Sequence, residues 1–171
     1  MKLKINIDKA RLQLLGSAVV NHIRKRTLKG LDKDGEAFVS YSTTPFAMPS
    51  GALTQKTRKG LDSASSLVWF TTNSGSKWVV IDGGYKELKA VKRPKDGGTV
   101  NLTDTGRMLQ DLAVISTKKN QVQIGFNTSE QAQKALWNIE NGRDFMGIED
   151  KELSKLADTI LGTGIEIELV E

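Results

Sequence analysis

Leu12, Leu15, Val19 and Ile23 fall at three- and four-residue spacing, which gathers them into one apolar stripe on a helix of 3.6-residue period. Gln13, Ser17, Asn21, Arg24 and Lys25 fall on the other side. Asp8 offers a side-chain oxygen to the free N–H groups at the helix start, and Gly30 is a natural stop. A long helix with one wet side must bury its stripe, and the rest of the chain indicates against what. Lys2 to Ile7 alternates with apolar residues at the odd positions, a half-buried strand. Leu67–Thr72 and Lys77–Ile81 flank Asn73-Ser74-Gly75-Ser76, a hairpin signal. Ala113–Ser116 and Gln121–Phe126 flank Lys118-Lys119-Asn120, a second hairpin. Ile165, Ile167 and Leu169 alternate with Glu166 and Glu168 as a final strand. Hairpins mixed with helices, without strict strand–helix alternation, predict an α+β fold. The expected architecture is a mainly antiparallel sheet with β-hairpins packed against the long N-terminal helix and shorter C-terminal helices.

Those shorter helices have their own patterns. Tyr85 to Val91 forms a short one, with Tyr85 and Leu88 on one side. Thr103 to Leu112 forms another, capped by Thr103 or Asp104, with Met108, Leu109 and Leu112 inward. Thr128 with Gln131 resembles a capping box ahead of the stripe Ala132, Ala135, Leu136 and Ile139. Asp150 begins a last helix with Leu153, Leu156, Ala157 and Ile160 inward, stopped by Gly162 and Gly164. Asp32-Lys33-Asp34-Gly35 is a turn, followed by a short strand from Glu36 to Tyr41. Residues 42–66 are rich in Ser, Thr, Gly, Pro and Lys, and predict a long loop with Phe46 and Met48 as isolated apolar residues. The 171 residues are expected to form one domain, 1–171, with that loop free to order on assembly.

Composition narrows the function classes. With 38% hydrophobic and 26% charged residues the chain has enough apolar content to fold. The absence of cysteine excludes disulfides and thiolate metal sites. Charges inside the first apolar stretch argue against a signal peptide, and apolar runs of only a few residues argue against a membrane span. The expected location is the cytoplasm of the producing cell. The net charge of +5 is uneven: residues 1–33 hold nine Lys/Arg and two Asp, net +7, while residues 129–171 hold four Lys/Arg and ten Asp/Glu, net −6. Such a chain can pair head to tail with its copies, or present a basic face to phosphates, or simply carry two solvated surfaces.

No catalytic constellation emerges. His22 is the one histidine, and a lone histidine on a helix flank is most often structural. Asp32, Asp34 and Glu36 begin like a calcium loop, but Ala37 and Thr43 stand where that loop needs glycine and an acid. Gly162-Thr163-Gly164 follows a helix and precedes a strand, the reverse of a dinucleotide fingerprint. No phosphate loop occurs. No cofactor, no metal and no enzymatic activity are expected. Arg24, Lys25, Arg26 and Lys29 form the one dense basic cluster, a candidate DNA-facing surface, although cations are favoured at a helix C-terminus in any case. Trp69, Phe70 and Trp78 beside Lys77 could stack single-stranded bases, but strand aromatics are read first as core.

Several segments occur in a meaningful order. His22-Ile23-Arg24-Lys25-Arg26-Thr27 leads into Gly30-Leu31-Asp32-Lys33-Asp34-Gly35-Glu36-Ala37-Phe38 and Tyr41-Ser42. Val100-Asn101-Leu102-Thr103-Asp104-Thr105-Gly106-Arg107-Met108-Leu109 follows, then a hairpin ending Val122-Gln123-Ile124-Gly125-Phe126. Lys134-Ala135 and Gly142-Arg143-Asp144-Phe145-Met146-Gly147-Ile148 complete the series. From about Asn21 to Ile160 this resembles the phage virion-morphogenesis or tail-completion family. Its members share an N-terminal helix, a G-x-D-x-x-G-x-x-F turn, an L-T-x-T-G-x-M helix start and an R-x-F-M/L-G segment before a closing helix. Residues 43–98, with their Trp-containing hairpin, depart from the simpler members.

The resemblance implies a head–tail connector or tail-completion protein. Its partners would be copies of itself in a ring, expected as a hexamer, together with neck, portal-side adaptor or tail-tube proteins. It would sit in the virion neck or tail end, assemble in the host cytoplasm, and make at most a passing contact with double-stranded DNA and none with a membrane. Candidate subunit-interface residues are Phe46, Met48, Arg143, Phe145, Glu149, Asp150 and Glu152. The alternative reading is a basic nucleic-acid-binding protein; a small hydrolase is a third.

Overall fold

The computed structural model describes residues 2–4, 8–64, 67–96, 98–118, 121–162 and 168–170. In chain order its elements are β1 (Lys2–Lys4), α1 (Lys9–Leu28), β2 (Phe46–Pro49), α2 (Gln55–Ala64), β3 (Leu67–Thr71), β4 (Lys77–Ile81), α3 (Gly84–Lys92), α4 (Arg107–Asp111), β5 (Leu112–Lys118), β6 (Gln121–Phe126), α5 (Ser129–Glu140), α6 (Asp150–Leu161) and β7 (Glu168–Val170). Short 3-10 turns lie at Ser50–Ala52 and Pro94–Asp96. Every strand pairing is antiparallel and the fold is α+β, with the long N-terminal helix packed on hairpin strands. The described chain divides into two units: Met1–Val39 with Asn101–Glu171, and Ser40–Val100. Reading the chain as one domain did not anticipate this division.

In the first unit, Asp8 accepts a hydrogen bond from the Ala10 N–H and opens α1. The expected stripe is realised: Leu12, Leu15, Val19 and Ile23 are fully buried. Gly16 shows what the helix packs on. A Cβ there would lie 2.7 Å from Val122 Cγ2 and 3.0 Å from Val114 Cγ2, so the β5–β6 hairpin meets α1 where the helix has no side chain. β1 pairs with β6 and β7, giving the order β5-β6-β1-β7. α1 also packs against α6, which buries Leu153, Ala157 and Leu161.

Several expectations give way here. Thr103 does not cap a helix; its N–H and hydroxyl both donate to Asn101 Oδ1, and α4 begins only after Gly106, which is left-handed at φ +79°. Thr128 makes no capping box, because its N–H and hydroxyl both donate to Asp111 Oδ2. Residues 36–41 form no strand beyond an isolated Leu31–Ala37 bridge. The expected strand 2–7 is described only for β1. Of the final one only β7 is described, and Lys119-Asn120 and the Gly164 stop also lie outside the described residues.

The second unit corrects the long loop expected at 42–66. That stretch holds β2, a 3-10 turn and the ten-residue α2. Thr54 Oγ1 accepts from the Thr57 N–H and caps α2. The inward side of α2 is built from Thr57, Gly60 and Leu61, a set too small and mixed to read as an apolar stripe. Gly60 admits α3 closely, since a Cβ there would lie 2.4 Å from Val91 Cγ1. The strands form a sheet of order β2-β4-β3. Leu53, Leu61, Val79, Ile81 and Leu88 make its core.

Candidate assembly surfaces

The basic cluster at the end of α1 does not form one surface. Arg24 donates through Nε to Leu109 O at 2.7 Å, and through Nη2 to Gln110 O at 2.8 Å and Leu112 O at 2.6 Å. It thereby satisfies carbonyls freed where α4 ends. Arg26 is only 8% exposed, and donates to Lys33 O at 3.2 Å and to Phe145 O and Gly147 O at 2.9 Å each. Burial lowers its pKa, while Asp32 and Glu149 oppose the shift. Only Lys25 and Lys29 point to solvent. The expected DNA-facing cluster Arg24, Lys25, Arg26 and Lys29 is therefore corrected: its two arginines hold backbone carbonyls inside the first unit.

Two expected interface residues join the same interior. Arg143 is 8% exposed and donates through Nε to Val39 O at 3.2 Å. Phe145 is fully buried and meets Phe126 edge-on with ring centroids 6.5 Å apart. Neither is available to a neighbouring subunit. Lys33 ties the 30–38 turn to the 143–147 segment twice, through its N–H to Asp144 O at 2.8 Å and an ion pair with Asp144 at 3.1 Å. Asp32 Oδ1 accepts the N–H groups of Asp34 and Glu36, so the acidic turn is held by its own backbone. His22 sits nearby; burial first, and then the Arg26 charge, lower its pKa.

Glu149, Asp150 and Glu152 surround the N-terminus of α6, where negative charge is favoured by the helix dipole. Glu149 and Asp150 are exposed, and Glu152 pairs with Lys155 at 2.6 Å. This acidic end is the part of the expected interface that stays open to solvent.

The second unit places Phe46 and Met48 differently from the isolated loop positions expected. Both lie on β2, half-buried against the Leu53, Leu61, Val79, Ile81 and Leu88 core. Antiparallel register puts them on the same face as Val79 and Ile81. The opposite face carries Ala47 and Pro49 from β2, Trp78 and Val80 from β4, and Val68 and Phe70 from β3. Reading the hairpin aromatics as core fails on this geometry. Trp69 and Phe70 are 45% and 40% exposed. Adjacent strand residues point to opposite faces, so no placement of β3 turns both inward. Phe70 lies 6.3 Å from Trp78 between ring centroids, and the Arg58 guanidinium stands 5.7 Å from the Trp69 ring. The second unit carries nine Lys/Arg and four Asp/Glu, net +5, whereas the first carries sixteen of each.

The sequence reading also missed a surface on α5. Gln131 and Ala135 are buried there, leaving Leu136 and Trp137 46% and 58% exposed. The expected stripe put Ala132 and Leu136 inward; α5 is turned so that both face solvent. The signal for it was Trp137 itself, a large apolar residue outside the expected stripe.

These features define an α+β protein whose most prominent open features are apolar surfaces. Among the described residues, no group of three or more His, Cys, Asp or Glu side chains could hold a metal ion, and no helix is long and apolar enough to cross a membrane. No protein-family model matches the chain, and neither the curated proteins nor the solved structures contain a match to it.

Proposed function

We propose that this chain is a structural, non-enzymatic subunit of a tailed-phage particle that assembles into a ring at the head–tail junction or tail end. One observation carries the reading: the segments that resemble the tail-completion family make one connected internal network. Arg26 joins α1 to both the 30–38 turn and the 142–148 segment, Lys33 joins that turn to Asp144, and Arg24 holds the end of α4. Motif residues that lock a scaffold suit a subunit that works by its shape. Rings follow when one surface of a rigid subunit meets a different surface of the next and the rotation closes. The ring would stand in the virion neck or tail end and would contact portal-side or tail-tube proteins. Electron microscopy of the concentrated protein tests this: closed rings of uniform diameter support it, and particles of monomer size at every concentration count against it.

A second reading, nucleic-acid binding, is favoured by the net +5 of the second unit and its exposed Trp69 and Phe70. It predicts tight DNA binding by the monomer, falling steeply with salt.

A further inference from the structure

Asn141 and Gly142 close the end of α5, and nowhere else in the chain does glycine follow an asparagine. Both residues are exposed to water. The pair has a chemistry of its own. Glycine has no Cβ, so its backbone nitrogen can approach the side-chain Cγ of a preceding asparagine unhindered. The structure holds both reacting groups elsewhere. Gly142 is left-handed at φ +74°, its N–H donates to Ile139 O at 2.9 Å, and the Arg143 N–H donates to Asn138 O at 2.9 Å. Those two bonds are the crossed pair that ends a helix on glycine. Asn141 Nδ2 donates to Trp137 O at 2.7 Å, and the Asn141 N–H donates to the same oxygen at 3.2 Å. Asn141 stands at ψ 24°, which turns the Gly142 nitrogen away from Asn141 Cβ about the Cα–C bond. A ring that contains both atoms needs the nitrogen on the Cβ side.

We infer that Asn141 is a spontaneous deamidation site and that the cap of α5 sets its rate, because the reaction runs only once the last helical turn has opened. On opening, Gly142 gives up Ile139 O, Asn141 Nδ2 gives up Trp137 O, and ψ of Asn141 rotates. The Gly142 nitrogen loses its proton to solvent and bonds to Asn141 Cγ. The Cγ–Nδ2 bond breaks, Nδ2 leaves as ammonia, and a five-membered imide remains. Water then adds to one of the two imide carbonyls. If the nitrogen parts from Cγ the product is aspartate; if it parts from the main-chain carbonyl carbon the product is isoaspartate. Water is the one co-reactant. The opening is small, since helix ends lie at the low end of local unfolding free energies. Its products do not close again as before. Either one sets a carboxylate at the C-terminus of α5, where the helix dipole disfavours it. Isoaspartate also routes the main chain through Cβ and Cγ, which takes the Gly142 and Arg143 N–H groups out of register with their carbonyls. Arg143, which donates through Nε to Val39 O at 3.2 Å, follows directly, so the change acts on the 142–148 segment. The inference is independent of the assembly reading.

Peptide mapping by mass spectrometry tests it on the full chain held in mildly alkaline buffer, folded and in urea. A synthetic peptide of residues 137–145 in the same two buffers corrects for any effect of urea on the chemistry. Asn141 should convert faster than every other asparagine in urea, giving separable aspartate and isoaspartate peptides. In the folded chain its conversion should be about tenfold slower or more. A different asparagine leading in urea would overturn the site, and equal rates in the two states would overturn the control by the cap. A variant separates the cap from the reacting pair. Glu140→Gly weakens the last turn at an exposed position and leaves Asn141 and Gly142 in place. With circular dichroism verifying its fold, Glu140→Gly should deamidate about fivefold faster than wild type when folded, and at the wild-type rate in urea. No acceleration in the folded variant would contradict the inference.

Discussion

The first unit turns Arg24, Arg26 and Arg143 onto its own backbone, and the second leaves Trp69 and Phe70 of its hairpin in the open. In Met1–Val39 with Asn101–Glu171, charges balance at sixteen of each sign, and Arg24, Arg26 and Arg143 donate to backbone carbonyls of neighbouring segments. In Ser40–Val100 the whole net charge of +5 accumulates, and one face of a three-stranded sheet is apolar, with Val68 and Phe70 exposed on it. The contrast separates two roles. Substitutions in the first unit's network should cost stability, whereas changes at the exposed Trp69 and Phe70 of the second unit should cost little of it.

The largest effect is expected at Arg26. Arg26→Met leaves the Lys33, Phe145 and Gly147 carbonyls without their donor, which costs about 3 kcal/mol or more of folding stability. Urea unfolding of Arg26→Met beside exposed Lys25→Met checks it, the latter staying within about 0.5 kcal/mol of wild type. Equal losses for both would break the comparison. Next comes Gly16→Val. Its Cβ would stand 2.7 Å from a methyl of the fully buried Val122, so the hairpin must move off α1 at a cost of about 2 kcal/mol, visible as a lower urea midpoint.

Charge reversal at the acidic end of α6 is a smaller test. Glu149→Lys with Asp150→Lys should weaken self-association, and should shift unfolding by no more than about 1 kcal/mol per site through the helix dipole. A sedimentation series at two salt concentrations reads both the loss and its screening. The smallest effect belongs to His22. Its pKa in the folded protein lies below the ordinary 6.5, so the unfolded chain binds more protons and stability falls as pH drops below about 6.5. The decline between pH 6.5 and the carboxylate range should flatten in His22→Gln; an unchanged slope would remove His22 from the account.

The α1 stripe and both hairpins were legible because large apolar residues repeat at helical or strand spacing there. The α2 helix was not, since Thr57, Gly60 and Leu61 form its inward side and only Leu61 is large and apolar. The destiny of the basic run was also hidden. Spacing shows that Arg24 and Arg26 lie on a helix end, but their carbonyl partners are as many as 121 residues away. Phe145 sits in a recognisable segment, yet only the fold reveals that Phe126 lies against it. Consecutive aromatics at Trp69 and Phe70 did carry a readable hint, because a strand with one covered face must expose one of them.

The central proposal is that this chain assembles with copies of itself. Light scattering coupled to size exclusion across a concentration series tests it most directly. The account predicts a discrete species several subunits in mass that grows at the expense of monomer. A monomer mass that stays constant over the whole series would contradict it.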